Sequence, residues 1–293
     1  MQRHGRVTVL SFFVFLLLIL ELPTPTSPLS PTPKPKTSPL PKTTFASLPT
    51  SIALIPDGNI RHLTHSTSLN PLHLPSNPYK LGSIKMSKII THLSTLTSPS
   101  SSSSTSKISN IVIYALSSDN FKKRDAGITR SVVDEVAQKC WRILEEEENI
   151  RIHFVGDLEA LHSIPISVPD SKTTKTFPTH IKTFSDFFAH LSTSPLPPTP
   201  NPLNLYILLN YSGQTSLRNY YLTKNTPTIS HVLPFPIDLI IRSGGECRLS
   251  DFCPMESAYS EILAVEEMWP MVDERVVEEC IEEWGRRRKR RGS

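Results

Sequence analysis

The sequence predicts an α/β fold, a mostly parallel central sheet flanked by helices, on three observations. Runs rich in Ile, Val and Leu recur along the chain and are nearly continuous, as strands covered on both faces require. Segments with apolar residues at helical spacing lie between them, the strand-helix-strand rhythm of a parallel sheet. Short blocks of Gly, Asp, Asn, Ser and Arg follow several of these runs on the carboxyl side, where open α/β sheets bind their ligands.

Val7 to Leu20 is an uncharged apolar run behind Arg3 and Arg6, so residues 1–22 are expected to form a signal segment or membrane anchor. The run is shorter than the ~20 residues of a full span. No small-x-small cleavage site follows, which favours a retained anchor. Residues 23–50 are rich in Pro, Ser and Thr, cannot offset chain ordering by burying apolar surface, and read as a tether. The predicted strands are Ile52 to Ile55, Ile111 to Leu116, Ile150 to Val155, Leu203 to Leu209 and Ile237 to Ile241. Gly82 to Leu96 has a helical pattern and is followed by a Ser-rich insertion at about 97–107, expected to be an exposed loop. In Thr129 to Glu148, Val132, Val133, Val136, Cys140, Trp141 and Leu144 recur at helical spacing, and His180 to Leu191 fits a shorter helix. Residues 51–293 therefore read as one domain.

The net charge of +4 is modest and much of it lies in the terminal run Arg286 to Arg291, so composition gives no argument for a nucleic-acid partner. The 4 cysteines have no spacing that matches a zinc or disulfide framework. His62, His65 and His73 are scattered through a Ser/Thr/Pro segment read as a surface loop rather than a metal cluster.

The block from Pro236 to Ser250 is the most informative. An apolar run ends at Arg242, passes through Gly244 and Gly245, and presents Glu246, Arg248, Leu249 and Ser250. Paired guanidinium groups, with backbone N–H groups exposed by a Gly pair, are expected to cradle a diphosphate. This block resembles the C-terminal signature of the cis-prenyltransferases, the undecaprenyl and dehydrodolichyl diphosphate synthase family. Four further blocks agree in order: Ile55 to Arg61, Tyr114 to Lys123, Arg151 to Leu158, and Leu208 to Gly213.

The resemblance implies the cis-prenyltransferase fold and condensation of isopentenyl diphosphate with an allylic diphosphate to a cis-polyprenyl diphosphate for dolichol-type carriers. It implies Mg²⁺ held by Asp57, with Glu261 as a second carboxylate. Gly58, Asn59, Ile60 and Arg61 would surround the allylic diphosphate, and Arg242, Arg248, Leu249 and Ser250 the isopentenyl diphosphate. Asn120 is implied in steering the proton lost from isopentenyl diphosphate. Ser117, Ser118, Asp119 and Phe121 belong to the same block, with Phe121 in place of the usual Trp. Tyr79 is expected to face phosphate, and Lys123 to replace an Arg. A homodimer or a heterodimer with a related subunit, attached to the endoplasmic reticulum membrane, is implied as well, and so is the alternative of a non-catalytic partner subunit. Plainer readings stand beside these: Asp57 as a turn cap, Glu261 on the solvated face of a helix, Arg242 and Arg248 as surface charges. The segment Thr215 to Pro236 is short and rich in turn formers, so a helix of the standard fold is expected to be missing there.

Overall fold

The computed structural model describes residues 47–69, 77–96, 108–167, 177–194, 197–198, 201–222 and 233–290, and Thr43–Ser293 form one compact unit. The expected anchor over 1–22, nearly all of the tether and the 97–107 insertion lie outside the described residues. In chain order the elements are β1 (Ser51–Ile55), α1 (Asn59–Leu69), α2 (Pro78–Thr95), β2 (Asn110–Ser117), α3 (Ser118–Lys123), α4 (Ala126–Glu146), β3 (Ile150–Val155), α5 (Phe184–Thr193), β4 (Leu203–Tyr211), α6 (Gly213–Leu222), β5 (Leu239–Arg242), β6 (Glu261–Ala264) and α7 (Glu274–Arg290). The six strands form one sheet in the order β3-β4-β2-β1-β5-β6, and every pairing is parallel.

Alternate residues of each central strand feed two cores. Ile52 and Leu54 of β1, Ile111 and Ile113 of β2 and Ile241 of β5 pack on the face covered by α2, α4, α5 and α7. Ala53, Val112, Tyr114 and Ile240 face a smaller core closed by Leu233, Ile237 and Phe252. With apolar matter on both sides, β1 has no exposed residue, which is why its sequence shows no polar alternation.

Local signals set the helix starts. Asn77 caps α2 by accepting from the Tyr79 N–H, with Pro78 at the first turn, and Asp125 caps α4 through the Gly127 N–H at 2.7 Å. Thr183 and Asp186 form a reciprocal capping box on α5.

Three expectations are corrected. The His/Ser/Thr stretch after Arg61 is not a loop from the outset: it forms α1, which has no apolar stripe to announce it. Within Thr215 to Pro236, α6 continues to Leu222, and residues 223–232 lie outside the described ones. Glu261 does not lie on a helix but opens β6, paired in register with Leu239. The fifth strand starts at Leu239, because Asp238 instead uses its carboxylate to accept the N–H groups of Thr50 and Ser51 at 2.7 and 3.0 Å.

Trp269 wedges between α2 and the sheet. It is 1% exposed, and its indole N–H donates to the Gly82 carbonyl at 2.9 Å. Trp269→Ala is expected to cost about 3–5 kcal/mol, measurable as a lower denaturant midpoint at unchanged slope.

Candidate active site

After Ile55 the chain turns through Asp57 and Gly58 into α1. Gly58 has φ +95°, and a Cβ there would lie 2.9 Å from the Met268 Cβ, so the turn requires glycine. The Asp57 carboxylate is held from three directions. Oδ1 accepts from the Gly58 N–H at 2.7 Å, Oδ2 from Arg242 Nη2 at 2.9 Å, and Arg61 Nη2 stands 3.5 Å from Oδ1. Burial opposes ionisation of Asp57. The hydrogen bonds from Arg242 and Gly58 and the charges of Arg242 and Arg61 together outweigh it, so the carboxyl is held below its usual range.

Arg242, the last residue of β5, pairs in register with Ile55 and is 3% exposed. Its Nη1 donates to Ser250 Oγ at 2.8 Å and to the Arg248 carbonyl. One buried guanidinium thus fixes Asp57 and the Arg248–Ser250 loop together. The side chain of Arg248 itself pairs with Glu246 at 2.5 Å. Gly244 and Gly245 adopt φ +85° and +77°, as a tight turn needs, but their N–H groups do not face an anion. They donate to the carbonyls of Glu267 and Val265, which fasten the turn to the chain leaving β6. The Gly pair therefore fastens its own turn rather than forming the expected cradle.

At the end of β2, Ser117 caps α3 by accepting from the Asn120 N–H at 3.0 Å. Asp119 pairs with Lys123 at 2.9 Å on exposed surface. Arg124, next in the chain, donates from Nη1 to the Tyr79 hydroxyl at 2.7 Å.

These pieces line one cavity of about 640 Å³. Asp57, Gly58, Asn59, Ile60, Arg61, Tyr79, Ser117, Asp119, Asn120, Arg242, Arg248 and Ser250 all line it, with the turn after β1 between those after β2 and β5. Five predicted residues are not in its wall. Ser118 donates its hydroxyl to the Asn210 carbonyl at 2.7 Å, and Phe121 packs on the larger core. Lys123 is turned to Asp119, and Leu249 packs on the smaller core. Glu261 lies level with Leu239, three residues short of Arg242, and Arg287 Nη1 lies 3.3 Å from its Oε2. Arg124, Asp251 and Trp269 line the cavity without having been singled out from sequence. Arg124 was legible as the guanidinium one place beyond Lys123, while Trp269 lies far from every block and gave no signal.

The cavity changes character with depth. Its mouth carries Arg61, Arg124, Arg242 and Arg248 together with Asp57, Asp119 and Asp251, and its lower wall includes Ile90, Ile113, Ile143, Leu205 and Ile207. Leu205 lies six residues along β4 from Tyr211, whose partner is Ser117, so the cavity runs beside the sheet for ~20 Å at ~3.3 Å per residue. A cationic mouth over a long apolar shaft suits a molecule with a diphosphate head and a hydrocarbon tail.

A family model described as "Putative undecaprenyl diphosphate synthase" matches residues 91–292. The Asp57 turn precedes that region and is joined to it by the Asp57–Arg242 pair. A tritrans,polycis-undecaprenyl-diphosphate synthase (geranylgeranyl-diphosphate specific) of Pyrobaculum aerophilum is 27% identical over 253 residues, 84% of this chain and 96% of that one. A ditrans,polycis-undecaprenyl-diphosphate synthase of Buchnera aphidicola is 26% identical over 209 residues, 64% of this chain and 73% of that one. Among solved structures, lavandulyl diphosphate synthase from Lavandula x intermedia superposes with a TM-score of 0.58 at 16% identity, covering 81% of this chain and 95% of that one, a likeness of fold alone. With a family model matching more than half of its length and an all-parallel sheet that ends in a cationic mouth, the chain belongs to the cis-prenyltransferases, enzymes of prenyl transfer.

Proposed function

We propose that this chain condenses isopentenyl diphosphate with an allylic diphosphate and releases a cis-polyprenyl diphosphate. The observation that carries the reading is the Asp57–Arg242 pair, 2.9 Å apart across 185 residues of sequence, at the head of an apolar shaft.

The allylic diphosphate would sit over the first turn of α1, against Asn59, Ile60 and Arg61, with its tail in the shaft. Isopentenyl diphosphate would rest on Arg242, Arg248 and Ser250. The allylic C–O bond breaks and its electron pair leaves with the diphosphate. The terminal alkene carbon of isopentenyl diphosphate bonds to the allylic carbon, which leaves positive charge on the internal alkene carbon, and the CH₂ beside that carbon then loses its proton to a diphosphate oxygen. Positioned cations at the mouth stabilise the charge that builds on the departing diphosphate. Asn120, an uncharged amide, orients the proton's path by hydrogen bonding rather than acting as the base.

Asp57 fits a Mg²⁺ site. Mg²⁺ takes one or two protein carboxylates and fills its other positions with phosphate oxygens and water, and Asp57 is an ionised, part-exposed carboxylate at the mouth. Among the described residues no group of three or more His, Cys, Asp or Glu side chains is placed to hold a metal, so substrate oxygens would complete the shell. When bound, the ion neutralises diphosphate charge. Glu261, at the start of β6 and paired with Arg287, is not needed for that shell.

The proposal extends to a dolichol-type product, a dimer, and tethering to the endoplasmic reticulum membrane through Val7 to Leu20. Its supports are the apolar N-terminal run and Arg290-Arg291-Gly292, which resembles the ending by which one subunit completes its neighbour's site. Among the described residues no helix is long and apolar enough to cross a membrane.

Purified chain given Mg²⁺, farnesyl diphosphate and labelled isopentenyl diphosphate is expected to extend the prenyl chain, and EDTA to abolish extension. Absence of product from every allylic primer would overturn the proposal. Product formed only when a homologue is added, and untouched by Asp57→Ala, would instead identify a non-catalytic partner subunit.

A further inference from the structure

Asp251, directly after Ser250, puts a negative charge into the wall of the cavity proposed to take diphosphates. Both oxygens of its carboxylate are engaged by the start of α6. Oδ2 accepts from Ser212 Oγ at 2.6 Å and Oδ1 from the Gln214 N–H at 2.9 Å, while the Asp251 carbonyl accepts the Gly213 N–H at 2.9 Å. The leading N–H groups of a helix favour an anion, so this carboxylate is held by α6 rather than set against a substrate. Gly213 permits the close approach, since a Cβ there would lie 2.7 Å from the Asp251 carbonyl oxygen.

The loop clamped in this way is strained. Ser250, Asp251 and Cys253 have φ +51°, +65° and +35°, left-handed values that non-glycine residues keep only where their surroundings hold them. Arg242 holds Ser250 by its hydroxyl, and the Tyr114 hydroxyl donates to the Ser250 carbonyl at 3.2 Å. Burial, with the Asp251 charge nearby, pushes the Tyr114 pKa up, so that hydroxyl stays protonated and donates. Asp251 supplies the hold on the next residue along.

α6 is in turn fixed to the turn that carries Asn120. Tyr211, two residues before Gly213, pairs with Ser117, and the Asn210 carbonyl accepts from Ser118 Oγ at 2.7 Å. Released from α6, the loop can relax towards negative φ, which moves the Ser250 hydroxyl and Arg248 relative to Asn120. We propose that Asp251 is a positioning residue for prenyl transfer, whose clamp on α6 holds Arg248 and Ser250 where they grip isopentenyl diphosphate. The inference rests on the prenyl-transfer reading and adds to it a residue that touches no reacting atom.

Two measurements on the full chain test it. Asp251→Gly accepts the left-handed φ and removes the carboxylate. Its KM for isopentenyl diphosphate is expected to rise about tenfold, while that for farnesyl diphosphate stays within about twofold of wild type. Asp251→Asn also tolerates the φ and keeps an acceptor for the Gln214 N–H, so it is expected to recover most of the loss. Ser212→Ala removes one bond of the clamp and is expected to raise the same KM by a smaller factor, which decides the matter if the glycine variant does not fold. Both KM values raised equally, neither raised in any variant, or an asparagine variant as impaired as the glycine one overturns the proposal.

The second measurement needs no turnover. Calorimetric titration with isopentenyl and farnesyl S-thiolodiphosphates in Mg²⁺ is expected to show Asp251→Gly weakened for the first probe and unchanged for the second. Equal weakening for both marks a general loosening of the fold and overturns the clamp. Wild-type protein that binds both probes but never forms product counts against the reaction instead.

Discussion

Arg242→Ala is expected to remove turnover and weaken the fold together. The guanidinium is 3% exposed and bonds to Asp57, Ser250 and the Arg248 carbonyl, so the substitution frees two segments at once, the turn after β1 and the Arg248–Ser250 loop. Loss of one positioned donor to a developing oxyanion costs ~10²–10³ in rate, and here the loop that carries Ser250, held at φ +51°, also loses its tie. The folded state is expected to lose roughly 3 kcal/mol, the lower end of the range for breaking a buried pair, because the Asp57 side chain is 35% exposed and water can take over part of its solvation. Arg242→Lys keeps the charge and loses the fork, so it is expected to recover stability but little activity. Steady-state rates with labelled isopentenyl diphosphate and urea melts of the three proteins check this. Arg242→Ala turnover within tenfold of wild type would contradict it.

Asp57→Ala is expected to lower kcat by ~10²–10³ and to raise the Mg²⁺ concentration needed for half-maximal rate, since the carboxylate proposed to hold the ion is gone. Its stability effect depends on pH with a definite sign. The folded pKa of Asp57 lies below its unfolded value, so ionised Asp57 stabilises the fold above about pH 4, the ordinary carboxylate range. That contribution is lost as pH falls through the lowered folded pKa, where protonation deprives Arg242 of its partner. The stability difference between wild type and Asp57→Asn is therefore expected to be full near neutrality and to shrink below pH 4. A difference that grows on acidification would show that Asp57 is not held ionised.

The parts of the fold that could be read from sequence are those where burial acts on every residue of a segment. The inner strands β1, β4 and β5 are rich in Ile and Leu because both faces are covered. β6 escaped notice because it is four residues long, begins with an acid and lies at the sheet edge, where two-sided burial does not apply. α1 escaped because its polar residues show no helical apolar period. Asp57, Arg61, Asn120 and Arg242 line one cavity because the turns after β1, β2 and β5 all lie at the carboxyl ends of parallel strands, where the sequence blocks had placed them. The fate of the Gly244 and Gly245 N–H groups was not, since their acceptors, Glu267 and Val265, lie about twenty residues on and form no recognisable block. Lys123 and Arg124 illustrate a finer limit: a helix that ends between neighbours sends one to solvent and the other to the cavity.

The Asp57 turn is pinned by residues from the far end of the chain. Ser243 Oγ and the Trp269 N–H both donate to its carbonyl, at 2.8 and 2.9 Å, and Arg242 holds its side chain. During synthesis this turn emerges early and waits for nearly two hundred residues before any of those groups exists. Such distant closure slows folding, and it makes catalytic competence an all-or-nothing property of the finished polypeptide. A fragment released before Arg242 would carry the Asp57 segment with none of these three ties to shape it.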